Sequence, residues 1–273
     1  MSLPPEIKPN QSVPLLKALH ILTRDSRLNQ DSRRKLKQVY HLVNFIEPLV
    51  KEVLNKQDDL TLVDHGAGKS YLGFILYDLL LKQLPHGRVI GIETRADLVE
   101  KSESLAKECD FERMLFQHLT VAESMIAPTI PERVEVVTAL HACDTATDDA
   151  IQFGLKKQAQ YMVLVPCCQA EVASVLRKHK AESLSKTPLS ELWRHPIHTR
   201  EFGSQITNVL RCLQLESAGY KLTVTELVGW EHSMKNELII AQYTGQKRRS
   251  SKERLLAILT ELNLTEMQAR FVS

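Results

Sequence analysis

Along the first sixty residues apolar positions recur every three or four residues, the spacing of a helix with one buried face. Leu15, Leu16, Leu19, Ile21 and Leu22 make one such series, and Leu36, Val39, Tyr40, Leu42, Val43, Phe45 and Ile46 make another. The polar run 24–32 separates the two helices, with Asp31 or Ser32 placed to cap the second. Residues 1–12, rich in proline and polar side chains, read as a loose arm. Past residue 59 the rhythm changes. Short aliphatic runs predict strands at 60–64, 88–92, 119–123, 134–140 and 161–165, alternating with helices at 71–84, 96–108 and 148–158. That alternation implies βαβ units and a parallel sheet, hence the α/β class. Residues 170–219 interrupt it with a long helical region, and strands at 220–228 and 237–243 follow. Their connection is too short for a helical crossover, so they should pair as an antiparallel hairpin. Three parts result: an N-terminal helical extension (1–58), the α/β unit (59–245, with a helical insertion about 170–219) and a basic, then amphipathic, tail (246–273).

Composition narrows the class without naming a function. The 273 residues are 43% hydrophobic and 25% charged, ordinary for a globular chain. No apolar run approaches a membrane span, and the N-terminus lacks a charged-then-apolar signal pattern, so no membrane partner is expected. Five cysteines in no disulfide-like framework suggest a reducing, cytoplasmic location. The net charge is only +2, so nucleic-acid binding would have to come from local patches. Two exist: residues 24–37, with Arg24, Arg27, Arg33, Arg34, Lys35 and Lys37, and residues 247–252. The competing reading of each is a solvated surface, favoured at 24–37 because Asp25 and Asp31 dilute the charge and at 247–252 because charged tails are usually solvated.

The chemistry concentrates at 60–72. Four strand-forming residues run into Asp64, then His65, Gly66, Ala67, Gly68, Lys69 and Ser70, then an apolar helical stretch. Glycines at such a turn bring bare N–H groups close to a ligand. About 25 residues further on, a second strand ends in Glu93, near the spacing of the acid that takes ribose hydroxyls in nucleotide sites. A P-loop would need glycine where Val63 stands, inside the strand. A dinucleotide fingerprint would need glycine at Tyr71. A plain structural turn stays open beside a nucleoside site.

The pattern Asp64-x-Gly66-x-Gly68, with Ser70 where a further glycine often stands, resembles the first motif of the class I S-adenosylmethionine-dependent methyltransferases. The resemblance spans roughly 59–245 and implies a Rossmann-like, mostly parallel sheet ending in an antiparallel hairpin. The segments 140–148, 166–168 and 231–236 look most like a branch that includes eukaryotic tRNA ribose methyltransferases and methyltransferase-like proteins of uncertain substrate. Relatives there usually carry His-x-Cys-Gly where this chain has His141, Ala142, Cys143 and Asp144. The resemblance implies S-adenosyl-L-methionine as cofactor. Asp64, His65, Gly66, Ala67 and Gly68 would cradle it, and Glu93 would hold its ribose. Thr94 and Arg95 would flank the adenine, with Ala122 and Glu123 at its edge and His141 and Ala142 below the sulfonium. An RNA acceptor is expected, with a small molecule or protein as the other enzymatic reading and an inactive binding scaffold as a third.

Asp144, at the mouth of the site, is a candidate general base, with His141 beside it. Cys167 follows a proline at a strand end, as nucleophilic cysteines do in cytosine-C5 methyltransferases. Zinc held by His141, Cys143, Cys167 and Cys168 is sterically conceivable, but no Cys-x-x-Cys pair is present and no metal is assigned. Cysteines packed at the cofactor pocket are the third reading. His195 and His198 read as polar neighbours.

Overall fold

The computed structural model describes residues 3–140, 144–166, 169–178, 188–227 and 237–272. Among these described residues seven strands form one sheet in the order β3-β2-β1-β4-β5-β7-β6. They are β1 (Thr61–His65), β2 (Arg88–Glu93), β3 (Met114–His118), β4 (Val136–Leu140), β5 (Tyr161–Val165), β6 (Tyr220–Glu226) and β7 (Glu237–Tyr243). β1 to β5 pair in parallel, and β7 runs antiparallel to both β5 and β6. The expected α/β sheet with its terminal hairpin is therefore the observed one.

Side chains alternate across a strand, and here each face buries its own core. Leu62 joins a cluster with α1 (Val13–Ala18), α2 (Gln30–Leu54), α3 (Tyr71–Leu76) and α4 (Ala96–Glu108). Val63 faces the other way, toward α5 (Val121–Ile126), α6 (Ala146–Lys156) and the end of α8 (Pro196–Ser217). A third cluster joins α7 (Glu171–Lys178) and α8 to α9 (Arg249–Glu261) and α10 (Gln268–Phe271). The tail is thus packed against the insertion through Leu255, Leu259, Met267 and Phe271.

Several sequence expectations need correction. The third strand is Met114–His118, not 119–123. Thr120 and Glu123 form a reciprocal capping box, and that signal starts α5 where β-propensity suggested a strand. The cap of α2 is Asn29, whose side chain accepts from the Ser32 N–H at 2.7 Å. Ser32 instead donates its hydroxyl to the His20 carbonyl. The helix expected over 71–84 is α3 followed by a π-helical turn, Tyr77–Leu81. The described part of the N-terminal arm is tied down: Ile7 enters the core and the Ser12 N–H donates to Asp78 at 2.9 Å.

Candidate functional site

β1 and β4 are neighbours from which the chain proceeds in opposite directions, to β2 and β3 on one side and to β5 on the other. Open α/β sheets place ligands in the crevice at such a switch point, beyond the carboxyl ends of the strands. Asp64 sits at this point, in register with Thr138 of β4. It is 3% exposed. Its Oδ2 accepts from the Ser70 hydroxyl at 2.8 Å and its Oδ1 from the Thr138 hydroxyl at 3.1 Å. Burial pushes its pKa up to about 6, against the lowering bonds from Ser70, Thr138 and the Gly73 N–H. Asp64 therefore braces the turn from beneath.

The turn follows from its glycines. Gly66 and Gly68 lie at φ +67° and +57°, and Ser70 shares that left-handed region at +48°. The Ala67 N–H donates to the Ile92 carbonyl, which joins the turn to β2. Among the described residues a Cβ built on Gly66 meets nothing within 4 Å, so that side of the turn is open to them. On the inner side, a Cβ on Gly73 would lie 2.4 Å from the Ser70 hydroxyl oxygen and 3.2 Å from Asp64 Oδ2. That close approach explains the glycine two residues beyond the dinucleotide spacing.

Glu93 closes the other side. Its Oε2 accepts from the Gly68 N–H at 2.7 Å, so the acid on β2 holds the turn that follows β1. Its Oε1 accepts from the Thr94 and Arg95 N–H groups and from Arg95 Nε at 3.1 Å. Burial would raise its pKa, but the Arg95 side chain, the Arg95 and Gly68 N–H groups and the Arg95 charge hold it below the ordinary carboxylate value. His118 at the end of β3 contacts the Thr94 carbonyl at 2.9 Å and steadies this corner.

The other predicted residues divide. His65 points to the opposite face from Asp64, 4% exposed and tilted against Phe153 at 5.2 Å. Among the described residues neither ring nitrogen has a hydrogen-bond partner, and burial pushes its pKa down to about 4. Ala122 and Glu123 lie exposed in the first turn of α5, with the Glu123 carboxylate committed to the capping box. Asp144 stands at φ +51°, and its Oδ1 accepts from the N–H groups of Ala170 and Glu171 at the start of α7. His141, Ala142, Cys143, Cys167, Cys168 and the 231–236 segment lie outside the described residues. Among the described residues no group of His, Cys, Asp and Glu could hold a metal ion, and Cys109 and Cys212 are free thiols.

Sequence reasoning missed Thr138 and Arg211. Thr138 gives no signal, because its partner comes from strand register. Arg211 did signal: it stands among Val209, Leu210 and Leu213, and a cation in an apolar run asks for a buried anion.

The two basic patches fall on opposite edges of the sheet. Ser32 binds the His20 carbonyl and the Tyr71 hydroxyl binds that of Leu19, which sets residues 24–37 beside the start of α3. A groove of about 700 Å3, lined by His20, Lys69, Tyr71 and Lys101 among others, lies there. Residues 247–252 follow β7 at the other edge, where Thr244 binds Gly219 and Tyr243 pairs with Tyr220. There Arg248 pairs with Glu216 and Arg249 with Glu253.

A family model described as a methyltransferase domain matches residues 34–175. Two glutathione S-transferase C-terminal domain-containing protein homologs align with 78% of the chain. That of Drosophila pseudoobscura pseudoobscura is 22% identical over 241 residues, and that of Drosophila melanogaster 23% over 236. The chain spans only 37% of the length of each. Among solved structures, the magnesium protoporphyrin IX methyltransferase of Synechocystis PCC 6803 with bound SAH has TM-score 0.49 and 13% identity. The match covers 84% of this chain and 94% of that one. Aeropyrum pernix fibrillarin with natively bound S-adenosyl-L-methionine has TM-score 0.40 and 14% identity, over 68% and 66%.

Proposed function

The chain belongs to the methyltransferase-domain family, and from that membership we propose that it uses S-adenosyl-L-methionine to methylate an RNA acceptor. The observation that carries the cofactor reading is the bond from the Gly68 N–H to Glu93, which sets an open glycine turn beside a strand-end carboxylate. The residues suit a nucleoside with a charged tail. Glu93 receives side-chain bonds from Thr94 and Arg95, which two ribose hydroxyls could replace without moving the main chain. The Arg95 side chain is 63% exposed, so its release costs little burial. The open face of Gly66 leaves room for a ligand against the turn, and Asp64 keeps the turn in shape from below.

When bound, the cofactor supplies a methyl group already activated on a sulfonium. The protein's part is then mainly to hold donor and acceptor in line. Asp144, with one carboxylate oxygen engaged at the start of α7, serves placement before it serves proton transfer.

The RNA reading rests on Arg24, Arg27, Arg34, Lys35 and Lys37. All five are exposed, and none makes an ion pair among the described residues. The segment that carries them is tied to the start of α3 through the Ser32–His20 and Tyr71–Leu19 bonds. Replacing all five with glutamine should weaken RNA binding at least about tenfold and flatten its salt dependence. Neutralising 247–252 should do neither. Fluorescence anisotropy with total tRNA at two salt concentrations reads both. Unchanged binding by the first variant would remove RNA as the acceptor and favour a small molecule.

A further inference from the structure

The ends of β4, β5 and β7 share a buried polar network that the glycine turn and Glu93 do not use. Arg211 of α8 is fully buried. Its Nε and one terminal nitrogen reach the two carboxylate oxygens of Asp148 on α6, at 2.7 and 2.8 Å. That same terminal nitrogen donates to the Asp144 carbonyl at 2.8 Å, and Nη1 reaches the Asn208 side-chain oxygen at 3.1 Å. Asn208 passes the network on. Its amide nitrogen donates to Glu237 at the start of β7 at 2.6 Å, and its oxygen also accepts from Gln169 at 3.0 Å. Gln169 in turn accepts from the Ser204 hydroxyl at 2.7 Å.

The placement of these partners gives the network its meaning. Asp144 follows β4, Gln169 follows β5 and Glu237 begins β7, so three neighbouring strands are joined at one end by one guanidinium and one amide. Asp144 is held at both ends. Arg211 fixes its carbonyl, while its carboxylate fixes the first N–H groups of α7. A left-handed φ at a residue other than glycine is held by its surroundings, and here the guanidinium supplies the hold. Only arginine has a planar fork of donors that can bind a carboxylate in two places and still reach a carbonyl. Lysine would carry the charge without the shape.

We propose that Arg211 is a positioning residue for the methyl acceptor: through Asp144 and Asn208 it sets the β4, β5 and β7 ends into one rigid wall. The acceptor role rests on the methyltransferase reading; the rigid wall does not. Because breaking a buried ion pair from one side leaves a stranded charge, the decisive variant replaces both partners, Arg211→Met with Asp148→Leu. An apolar pair of similar volume commonly preserves stability. A single Arg211→Lys variant is studied beside it.

Four readouts separate positioning from bulk stability. Amide hydrogen exchange at Ala170 and Glu171 should accelerate at least about tenfold in the double variant, with exchange in β1 unchanged. The melting temperature should hold, and the dissociation constant for S-adenosylhomocysteine should stay within about threefold of wild type. Arg211→Lys should recover only part of the protection. With labelled cofactor and total cellular RNA, KM for RNA should rise at least about fivefold in the double variant. Protection at Ala170 and Glu171 equal to wild type would overturn the proposal, as would exchange raised equally across the sheet. If the wild-type chain bound no S-adenosylhomocysteine, the methyltransferase reading would fail, while the exchange data would still decide the wall.

Discussion

Asp64 and His65 are adjacent, both buried, and shifted in opposite directions. Asp64 has a folded pKa near 6, above its ordinary 3.8. Between about pH 4 and 6 the unfolded chain therefore releases a proton that the folded chain keeps. Its contribution to stability is present at low pH and lost as pH rises, by about 3 kcal/mol. His65 has a folded pKa near 4, below its ordinary 6.5. Between these values the unfolded chain binds a proton that the folded chain refuses, so its contribution grows as pH rises by a similar amount. Relative to wild type, Asp64→Asn should gain stability from pH 4 to 6. His65→Phe should lose it from pH 4 to 6.5. Urea denaturation at several pH values reads both slopes, and slopes of the same sign would contradict the assignment. At this scale the sequence made Asp64 and Glu93 legible, because each ends a strand run and a glycine pair follows the first. The partners of Asp64 were less legible, since Thr138 meets it only through the pairing of β1 with β4.

At the scale of elements, the turn and α3 act as one unit. Gly73 lets the first turn of α3 sit directly on Ser70 and Asp64. Alanine is normally the better helix former by about 1 kcal/mol. Here its Cβ would meet the Ser70 hydroxyl oxygen at 2.4 Å, so Gly73→Ala should instead destabilise by roughly 1–3 kcal/mol. Adding Ser70→Ala should return part of that loss, because the clash would go with the hydroxyl. Chemical denaturation of the two single variants and the double variant measures the coupling. Strict additivity would mean that the contact is not the cause. Element boundaries were readable where periodicity was strong, as at 96–108 and 161–165, which coincide with α4 and β5. They failed at 119–123. Leu119, Thr120 and Val121 favour a strand locally, but the Thr120–Glu123 capping box commits the segment to a helix. The edge strand β3 was hidden by its mixed burial, with Leu115 exposed and Gln117 half-buried.

For the whole molecule, the sheet order divides the carboxyl edge into two halves. β1 and β2 carry the glycine turn and Glu93; β4, β5 and β7 carry the wall joined by Arg211 and Asn208. The α/β class and the final hairpin were legible because short aliphatic runs alternated with helical ones and the last connection was short. The joining of insertion and tail was not, since it depends on α7, α8, α9 and α10 meeting in space. The separation of the two basic patches was equally hidden, for linear charge says nothing of sheet edges. The central claim is that the β1–β2 half binds S-adenosyl-L-methionine. Calorimetric titration of the protein with S-adenosyl-L-methionine and S-adenosylhomocysteine, beside Glu93→Ala and Asp64→Ala variants, tests it most directly. The expected result is a wild-type dissociation constant on the order of micromolar. Glu93→Ala should weaken it about a hundredfold, the loss of two hydrogen bonds to a charged acceptor, and Asp64→Ala should weaken it by releasing the turn. Absence of binding by the wild type, above all with ATP or NAD binding in its place, would contradict the account.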